Sequence, residues 1–143
     1  MNIVTASETD KDAWLPLWQA YLDFYQHTLP EGVTDLTFAR FVDDAEPMGL
    51  LLAREGEEII GFATYILHRS TWARETYCYL EDLYVDNTAR GKGAGRALIE
   101  GVADVAKSMG AERLYWVTEG PNTTAQALYD KLATKTDYIQ YRR

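Results

Sequence analysis

A basic, glycine-rich loop at residues 90–96 constrains the fold of this chain more than any other segment. It reads Arg-Gly-Lys-Gly-Ala-Gly-Arg, follows a largely apolar run at residues 79–85 and opens a segment with helical periodicity. A glycine turn between a strand and a helix exposes backbone N–H groups at the positive end of the helix dipole, where phosphate binds well. The sequence therefore predicts an anion site formed by Arg90, Gly91, Lys92, Gly93, Ala94, Gly95 and Arg96.

Three kinds of phosphate-binding loop could contain such a turn, and the spacing of the glycines separates them. The Walker A string G-x-x-x-x-G-K-[ST] does not occur in the chain. A dinucleotide-binding fold needs G-x-G-x-x-G, whereas residues 91–95 read G-x-G-x-G, and too few residues follow for that fold's further strand–helix units. The third pattern, R/Q-x-x-G-x-G/A, is met by Arg90, Gly93 and Gly95.

This third pattern resembles the pyrophosphate loop of the GNAT family of acyl-CoA N-acyltransferases. Residues 80–85 look like that family's fourth strand, and the segment from Asn122 to Tyr129 looks like the start of its later helix. The chain resembles most narrowly a small, single-domain subgroup similar to histone-type or small-amine acetyltransferases, through residues 68–72, 77–80, 115–116, 125–131 and 139–141. The resemblance runs from about residue 45 to the end, and it departs from the family at Asp137 and Tyr138, where Gly-Phe is usual.

The resemblance implies a fold, a cosubstrate and a set of contacts. The fold is an α/β fold of mixed type, a mixed central sheet flanked by helices on both faces. The cosubstrate is acetyl-CoA, with no metal, and the acetyl group passes directly to an amine without an acyl-enzyme. Beyond the loop, the implied acetyl-CoA contacts are the backbone N–H groups of a splayed strand and the start of the later helix, which are Leu83, Tyr84, Val85, Asn122, Ala125 and Tyr129. Asn122 is also a natural helix cap, which alone would explain it.

Two residues are the candidates for moving protons. Tyr129 is the candidate general acid, since a phenol can protonate a departing thiolate. Its spacing alone fits a core aromatic, and the resemblance favours the coenzyme side. Glu81 is the candidate general base, with Asp82 as the alternative, because acids in an otherwise apolar strand are costly to bury unless paired or functional. Adjacent strand residues face opposite sides of a sheet, so only one of the two is expected to point into a given cleft.

Hydrophobic periodicity predicts two helices, three strands, and then a helix, a strand, a helix and a last strand, after a short first strand at residues 2–6. The first helix carries Trp14, Trp18 and Tyr21 on one stripe. The later strands are expected at residues 48–53, 59–67, 77–85, 113–118 and 138–141. A strand–helix–strand unit near the end implies a mixed sheet with helices on both faces.

Composition limits the class of protein and its partners. A chain of 143 residues is expected to form one domain, residues 1–143. Its net charge of −8 argues against nucleic acid and favours cationic partners. The apolar runs are too short for a membrane span, and no secretion signal is expected at the N-terminus. One cysteine, Cys78, fits a reducing cytoplasm, and His27 and His68 are too isolated to form a metal pair.

The sequence thus predicts an N-acetyltransferase that moves an acetyl group from acetyl-CoA to a primary amine. The acceptor stays open among a small amine, a polyamine, an amino acid and a lysine side chain. The alternative is a non-catalytic module that binds acyl-CoA as a sensor and keeps the loop without turnover. Small members of the resembled family often dimerise, so a homodimer is a further expectation.

Overall fold

One five-stranded sheet organises the chain, which a computed structural model describes over residues 1–143. The strands lie side by side in chain order as β1 (Asn2–Thr5), β2 (Met48–Glu55), β3 (Glu58–Arg69), β4 (Thr76–Val85) and β5 (Ala111–Tyr115). The helices are α1 (Lys11–Phe24), α2 (Val33–Phe41), α3 (Ala94–Ser108) and α4 (Thr123–Leu132). Strands β1 to β4 pair antiparallel and β5 pairs parallel to β4, so the prediction of a mixed sheet is confirmed.

Helices cover both faces of this sheet, as predicted. On one face, Trp14 and Trp18 of α1 and Phe38 of α2 pack with Phe62 of β3 in an aromatic cluster. On the other face, the apolar stripe of α3 packs on β2, β3 and β4, and α4 adds partly buried side chains at the margin. The central strands are buried on both sides and are accordingly almost wholly apolar. None of the helices combines the length and hydropathy that a membrane span requires.

Strands β4 and β5 separate after a short shared stretch. Their pairing begins at Thr76 with Ala111 and ends at Tyr79 with Tyr115. Beyond that point β4 continues to Val85 with β3 on one side only. Beyond Tyr79, the edge of β4 that faces β5 is therefore unpaired, and this open edge leaves a gap between the two strands.

A β-bulge interrupts β4 at the start of this open half. Leu80 pairs with Tyr65 and Asp82 pairs with Thr64, so Glu81 has no partner on β3. The extra residue breaks the alternation of the strand: Leu80 packs with the α3 cluster, whereas Asp82 is bonded to α1 on the opposite face. Strict alternation, on which the expectation for the two acids rests, therefore does not hold across residues 80–82.

The prediction of a last strand at residues 138–141 is also wrong. The chain after Leu132 forms no regular structure, and Tyr138, Ile139 and Tyr141 are 83%, 76% and 88% exposed. Alternating apolar residues satisfy the strand pattern, but a strand also needs a neighbour for its backbone groups, and none lies beside this segment. The strand expected at residues 113–118 is Ala111–Tyr115, shifted toward the N-terminus.

Candidate active site

The glycine loop lies between β4 and α3, where the sequence predicts it. Gly91 and Gly93 adopt φ angles of 86° and 81°, a left-handed conformation that side chains other than glycine rarely adopt. A Cβ at either position would meet nothing within 4 Å. Glycine is thus required here by the backbone conformation and not by lack of space. The absence of neighbours also leaves the loop open to a ligand.

The loop presents unbonded backbone donors at the start of α3. Gly93 is the N-cap and has no side chain that could bond the first turn, and the first intrahelical donor is the N–H of Ala97. The N–H groups of Ala94, Gly95 and Arg96 have no acceptor within the helix. They lie at the positive end of the α3 dipole and are available to an anion.

Three cationic side chains surround these donors. Arg90 donates from Nε to the carbonyl of Val85 at 3.4 Å, which holds its stem against the end of β4. Arg96 pairs with Glu100 one turn along α3 at 3.0 Å, and Lys92 makes no ion pair. The loop is therefore a local concentration of positive charge on an acidic protein, which suits a phosphate-bearing ligand.

The open edge of β4 supplies a second row of donors. The N–H of Asp86 bonds to the carbonyl of Ile60 on β3 at 2.8 Å. Because successive N–H groups of a strand point to alternate sides, the N–H of Tyr84 also faces β3, and those of Leu83 and Val85 face the gap beside β5. Of the three predicted backbone contacts, two are oriented toward the gap, and Tyr84 instead buries its side chain beneath α1.

Helix α4 borders the same gap and carries the candidate general acid. Asn122 caps the helix by accepting the N–H of Ala125 at 3.3 Å. Tyr129 is half-buried, with its ring in an edge contact with Trp116 at 5.5 Å between centroids. Burial, with a smaller effect of Tyr25, raises the pKa of the Tyr129 hydroxyl. The hydroxyl is thus kept in its protonated form, as a proton donor requires.

The two adjacent acids of β4 have different surroundings. Asp82 accepts hydrogen bonds from the hydroxyls of Tyr21 and Thr64, both at 2.6 Å. The Glu81 side chain reaches solvent and its carboxylate makes no hydrogen bond within the chain. Partial burial and the neighbouring Asp82 raise the pKa of Glu81. Glu81 is therefore the acid free to bind a substrate proton, and Asp82 is held by its partners.

Sequence reasoning did not identify four side chains that surround these acids. Tyr21 and Thr64 bond Asp82, and Tyr25 and Glu119 line a cavity near the start of α4. The two tyrosines lie one helical turn apart on α1, a spacing that fits a core stripe as well as a site. Glu119 lies in the irregular connection between β5 and α4, where hydrophobic periodicity gives no indication of its surroundings.

A cavity of about 420 Å³ opens beside these side chains, between the C-terminal end of α1 and the connection before α4. Its lining residues are Phe24, Tyr25, Gln26, Glu119, Pro121 and Asn122. Asn122 is also the N-cap of α4, so the cavity lies at the N-terminal end of the helix that carries Tyr129. No group of three or more His, Cys, Asp or Glu side chains is arranged to hold a metal ion.

Comparisons with known proteins agree with this arrangement. Residues 14–133 match the model of the Acetyltransferase (GNAT) family. The D-amino-acid N-acetyltransferase HPA3 of Saccharomyces cerevisiae is 43% identical over 136 residues, which cover 94% of this chain and 84% of HPA3. The uncharacterized N-acetyltransferase YhfO of Bacillus subtilis is 33% identical over 144 residues, covering 99% and 95%.

The fold agrees with solved structures as well. AAC(6')-Iy in complex with the bisubstrate analogue CoA-S-monomethyl-acetylneamine matches with a TM-score of 0.83 at 19% identity, over 99% of this chain and 97% of that one. The family model covers most of the chain, and the relatives are N-acetyltransferases by name, which does not favour a non-catalytic sensor. This chain is an N-acetyltransferase and belongs to the GNAT family of acetyltransferases.

Proposed function

We propose that this enzyme transfers the acetyl group of acetyl-CoA directly to the primary amine of a small molecule, with the thioester lying in the gap between β4 and β5. The observation that carries the proposal is the alignment of two rows of donors. The N–H groups of Leu83 and Val85 line the open edge, and the chain then runs through the glycine loop to the free N–H groups of α3. A ligand with amide carbonyls in its arm and a pyrophosphate at one end fits that alignment.

The residues present fit acetyl-CoA in chemistry as well as in placement. The pyrophosphate matches the loop's N–H groups and the side chains of Arg90 and Lys92. The amides of the pantetheine arm match the strand edge, which can pair with an extended chain as a further strand would. Acetyl-CoA supplies the activated acetyl group as a thioester, and the protein supplies position and polar groups.

Glu81 and Tyr129 are proposed to move the two protons of the transfer. The new carbon–nitrogen bond forms as the carbon–sulfur bond breaks; the carboxylate of Glu81 accepts the amine proton, directly or through a water. The hydroxyl of Tyr129 gives its proton to the departing thiolate. A raised pKa brings a carboxylate closer to the working range of a base, which supports the role of Glu81.

The acceptor is proposed to be a small amine, with amino acids as the first class to test. HPA3, which is 43% identical, acts on D-amino acids according to its name. The cavity of about 420 Å³ between the end of α1 and the start of α4 is of a size that holds a small molecule. Polyamines and lysine side chains belong to the same chemical class and are included in the panel below.

The proposal is tested by incubating the protein with acetyl-CoA and a panel of D- and L-amino acids, diamines and a lysine peptide, and measuring release of the coenzyme A thiol. At least one amine is expected to be acetylated. Glu81→Gln should lower that turnover roughly 10²-fold, the usual contribution of acid–base catalysis. Glu57→Gln, which removes a charge from the turn between β2 and β3, should leave it unchanged. Binding of acetyl-CoA with no turnover of any amine would contradict the proposal and favour a sensor.

Three further predictions concern the setting of the protein and rest on sequence. We expect a cytoplasmic location, because a single cysteine, Cys78, cannot form an internal disulfide and fits a reducing compartment. We expect neither nucleic acid nor membrane as a partner, given the net charge of −8. A homodimer is expected from the family resemblance, and size-exclusion chromatography with light scattering would measure it.

A further inference from the structure

The cavity at the end of α1 has features that packing does not explain. It lies at the N-terminal end of α4, the helix that carries the candidate proton donor, because Asn122 both lines the cavity and caps that helix. Tyr25 lines it as well, and partial burial raises the pKa of its hydroxyl, with smaller contributions from the nearby carboxylates of Glu119 and Asp82. Burial and, after it, Tyr25 raise the pKa of the Tyr129 hydroxyl, so the cavity wall lies close to the proposed proton donor.

Helix α1 ends at this cavity in a strained conformation. The N–H of Gln26 bonds to the carbonyl of Asp23 and the N–H of His27 bonds to that of Leu22, both at 3.0 Å. These two bonds form a Schellman ending, in which the left-handed residue is usually glycine. Here it is Gln26, with φ of 51°, the one residue other than glycine with positive φ in the chain. The strain places an amide side chain in the cavity wall, where a glycine would leave none.

The opposite wall of the cavity presents a free carboxylate on a fixed backbone. The carbonyl of Glu119 accepts the N–H of Asn122 at 2.9 Å and the side-chain amide of Gln126 at 3.4 Å. Gln126 also donates to the carbonyl of Gly120 at 2.8 Å. The carboxylate of Glu119 itself makes no hydrogen bond or ion pair, and no Lys or Arg lines the cavity.

Two aromatic rings complete the wall. Phe24 and Tyr25 are 62% and 44% exposed and meet edge to face at 5.1 Å between centroids. Exposed rings beside an unpaired carboxylate form a site that favours an organic cation, through the ring faces and through the charge. Without a ligand, the Phe24 and Tyr25 rings expose apolar surface to water at the end of α1.

We propose that this cavity binds the part of the acceptor remote from the reacting amine, and that Glu119 selects acceptors with a second positively charged group, such as a diamine or a basic amino acid. The inference rests on the proposed function and assigns its substrate class. The reacting amine gives its proton to Glu81, while the second amine stays protonated against Glu119 and the rings. The Gln26 amide orients the acceptor by hydrogen bonding.

A matched pair of acceptors tests the role of the charge. 1,4-Diaminobutane and butylamine share a chain length and differ in the second amine, and kcat/KM is measured for both with the parent and with Glu119→Gln. The parent should prefer the diamine, and Glu119→Gln should lower kcat/KM for the diamine roughly 10–100-fold, mainly through KM, as expected for loss of a charged hydrogen bond. Butylamine should change by less than about 2-fold, and Glu57→Gln should behave as the parent with both.

The possible results distinguish a failure of selection by Glu119 from a failure of the proposed acetyltransferase activity. An equal loss for both acceptors in Glu119→Gln, or no preference of the parent for the diamine, overturns the selection by charge while leaving the transferase intact. Failure of the parent to acetylate any amine overturns both. A competing monovalent cation probe, tetramethylammonium, should raise the KM of the diamine in the parent and have a much smaller effect in Glu119→Gln, where only the ring faces remain to bind it.

A second variant tests whether Gln26 belongs to the site. Gln26→Gly removes the side chain and relieves the left-handed strain, so its melting temperature should equal or exceed that of the parent. Its KM for the diamine should nevertheless rise several-fold. A more stable variant with unchanged KM would show that Gln26 only ends the helix and would remove it from the acceptor site.

Discussion

The hydroxyl of Tyr21 donates a hydrogen bond of 2.6 Å to the carboxylate of Asp82 and so joins α1 to β4 beside the bulge at Glu81. Thr64 satisfies the other oxygen from β3. The two adjacent acids therefore differ: the carboxylate of Asp82 is hydrogen-bonded, whereas that of Glu81 has no hydrogen-bond partner within the chain. As in other enzymes that use pairs of carboxylates, the surroundings and not the residue type decide which acid is available for chemistry.

Removal of the Tyr21 hydroxyl should destabilise the fold. In Tyr21→Phe the carboxylate of Asp82 loses a donor in a largely buried position, which should lower the free energy of unfolding by about 1–3 kcal/mol. Urea unfolding at neutral pH measures the change. Tyr141→Phe, at a position 88% exposed, serves as the control and should match the parent. Equal stability of Tyr21→Phe and parent would mean that this hydrogen bond contributes nothing net.

The glycine loop should lose its ligand without loss of the fold when Gly93 is replaced. Acetyl-CoA at 100 times its dissociation constant should stabilise the parent by about 2.7 kcal/mol, which is visible as a rise in melting temperature. Gly93→Val should abolish that rise, because a β-branched residue does not hold φ near 81°. Gly32→Val is the matched control: Gly32 is also a left-handed N-cap, with φ of 84° and open space around it. A shift that survives in Gly93→Val would place the pyrophosphate elsewhere.

Loss of the Tyr129 hydroxyl should affect turnover much more than binding. A proton donor acts in the transition state, so Tyr129→Phe should keep acetyl-CoA affinity within a few-fold and lower kcat roughly 10–10³-fold. The phenylalanine ring preserves the edge contact with Trp116. Calorimetric titration and steady-state kinetics give the two quantities. Full turnover in the variant would leave Tyr129 as a packing residue only.

The stability of Glu81→Gln should differ from that of the parent in a pH-dependent way. Because the pKa of Glu81 is raised in the folded protein, the folded state holds this proton more tightly than the unfolded state. The stabilisation is complete below the ordinary pKa of 4.5 and is lost as the pH rises through the folded-state pKa. Glutamine does not titrate, so the variant should gain stability relative to the parent between acid and neutral pH. Urea unfolding across that range measures the difference; a relative loss toward neutral pH would mean that the fold favours the carboxylate.

Those parts of the protein that depend on neighbours in the chain could be predicted from sequence. The glycine loop is defined by backbone conformation over a few residues, and the stripes of α1 and α3 follow from periodicity. The open edge of β4 followed from the resemblance, and the structure adds which N–H groups face it. Local chemistry was sufficient for each of these.

The remainder depends on contacts between distant residues. Nothing near Asp82 in the sequence indicates Tyr21, which lies 61 positions earlier. The bulge at Glu81 is invisible to an alternation pattern, because each half of β4 alternates correctly by itself. Gln26 replaces the glycine that usually marks a Schellman ending, and so the strained end of α1 had no signature. The segment at residues 138–141 has the composition of a strand but lacks a neighbour to pair with.

The bulge residue, Glu81, contributes to the candidate site but not to the pairing of β4 with β3. A strand without Glu81 would still pair Leu80 with Tyr65 and Asp82 with Thr64, and each side chain would keep its present face. The pairing of β3 with β4 therefore does not depend on this position. An engineer who deleted it would obtain a more uniform strand and would remove the proposed base, so that a trade of activity for stability would be confined to one residue.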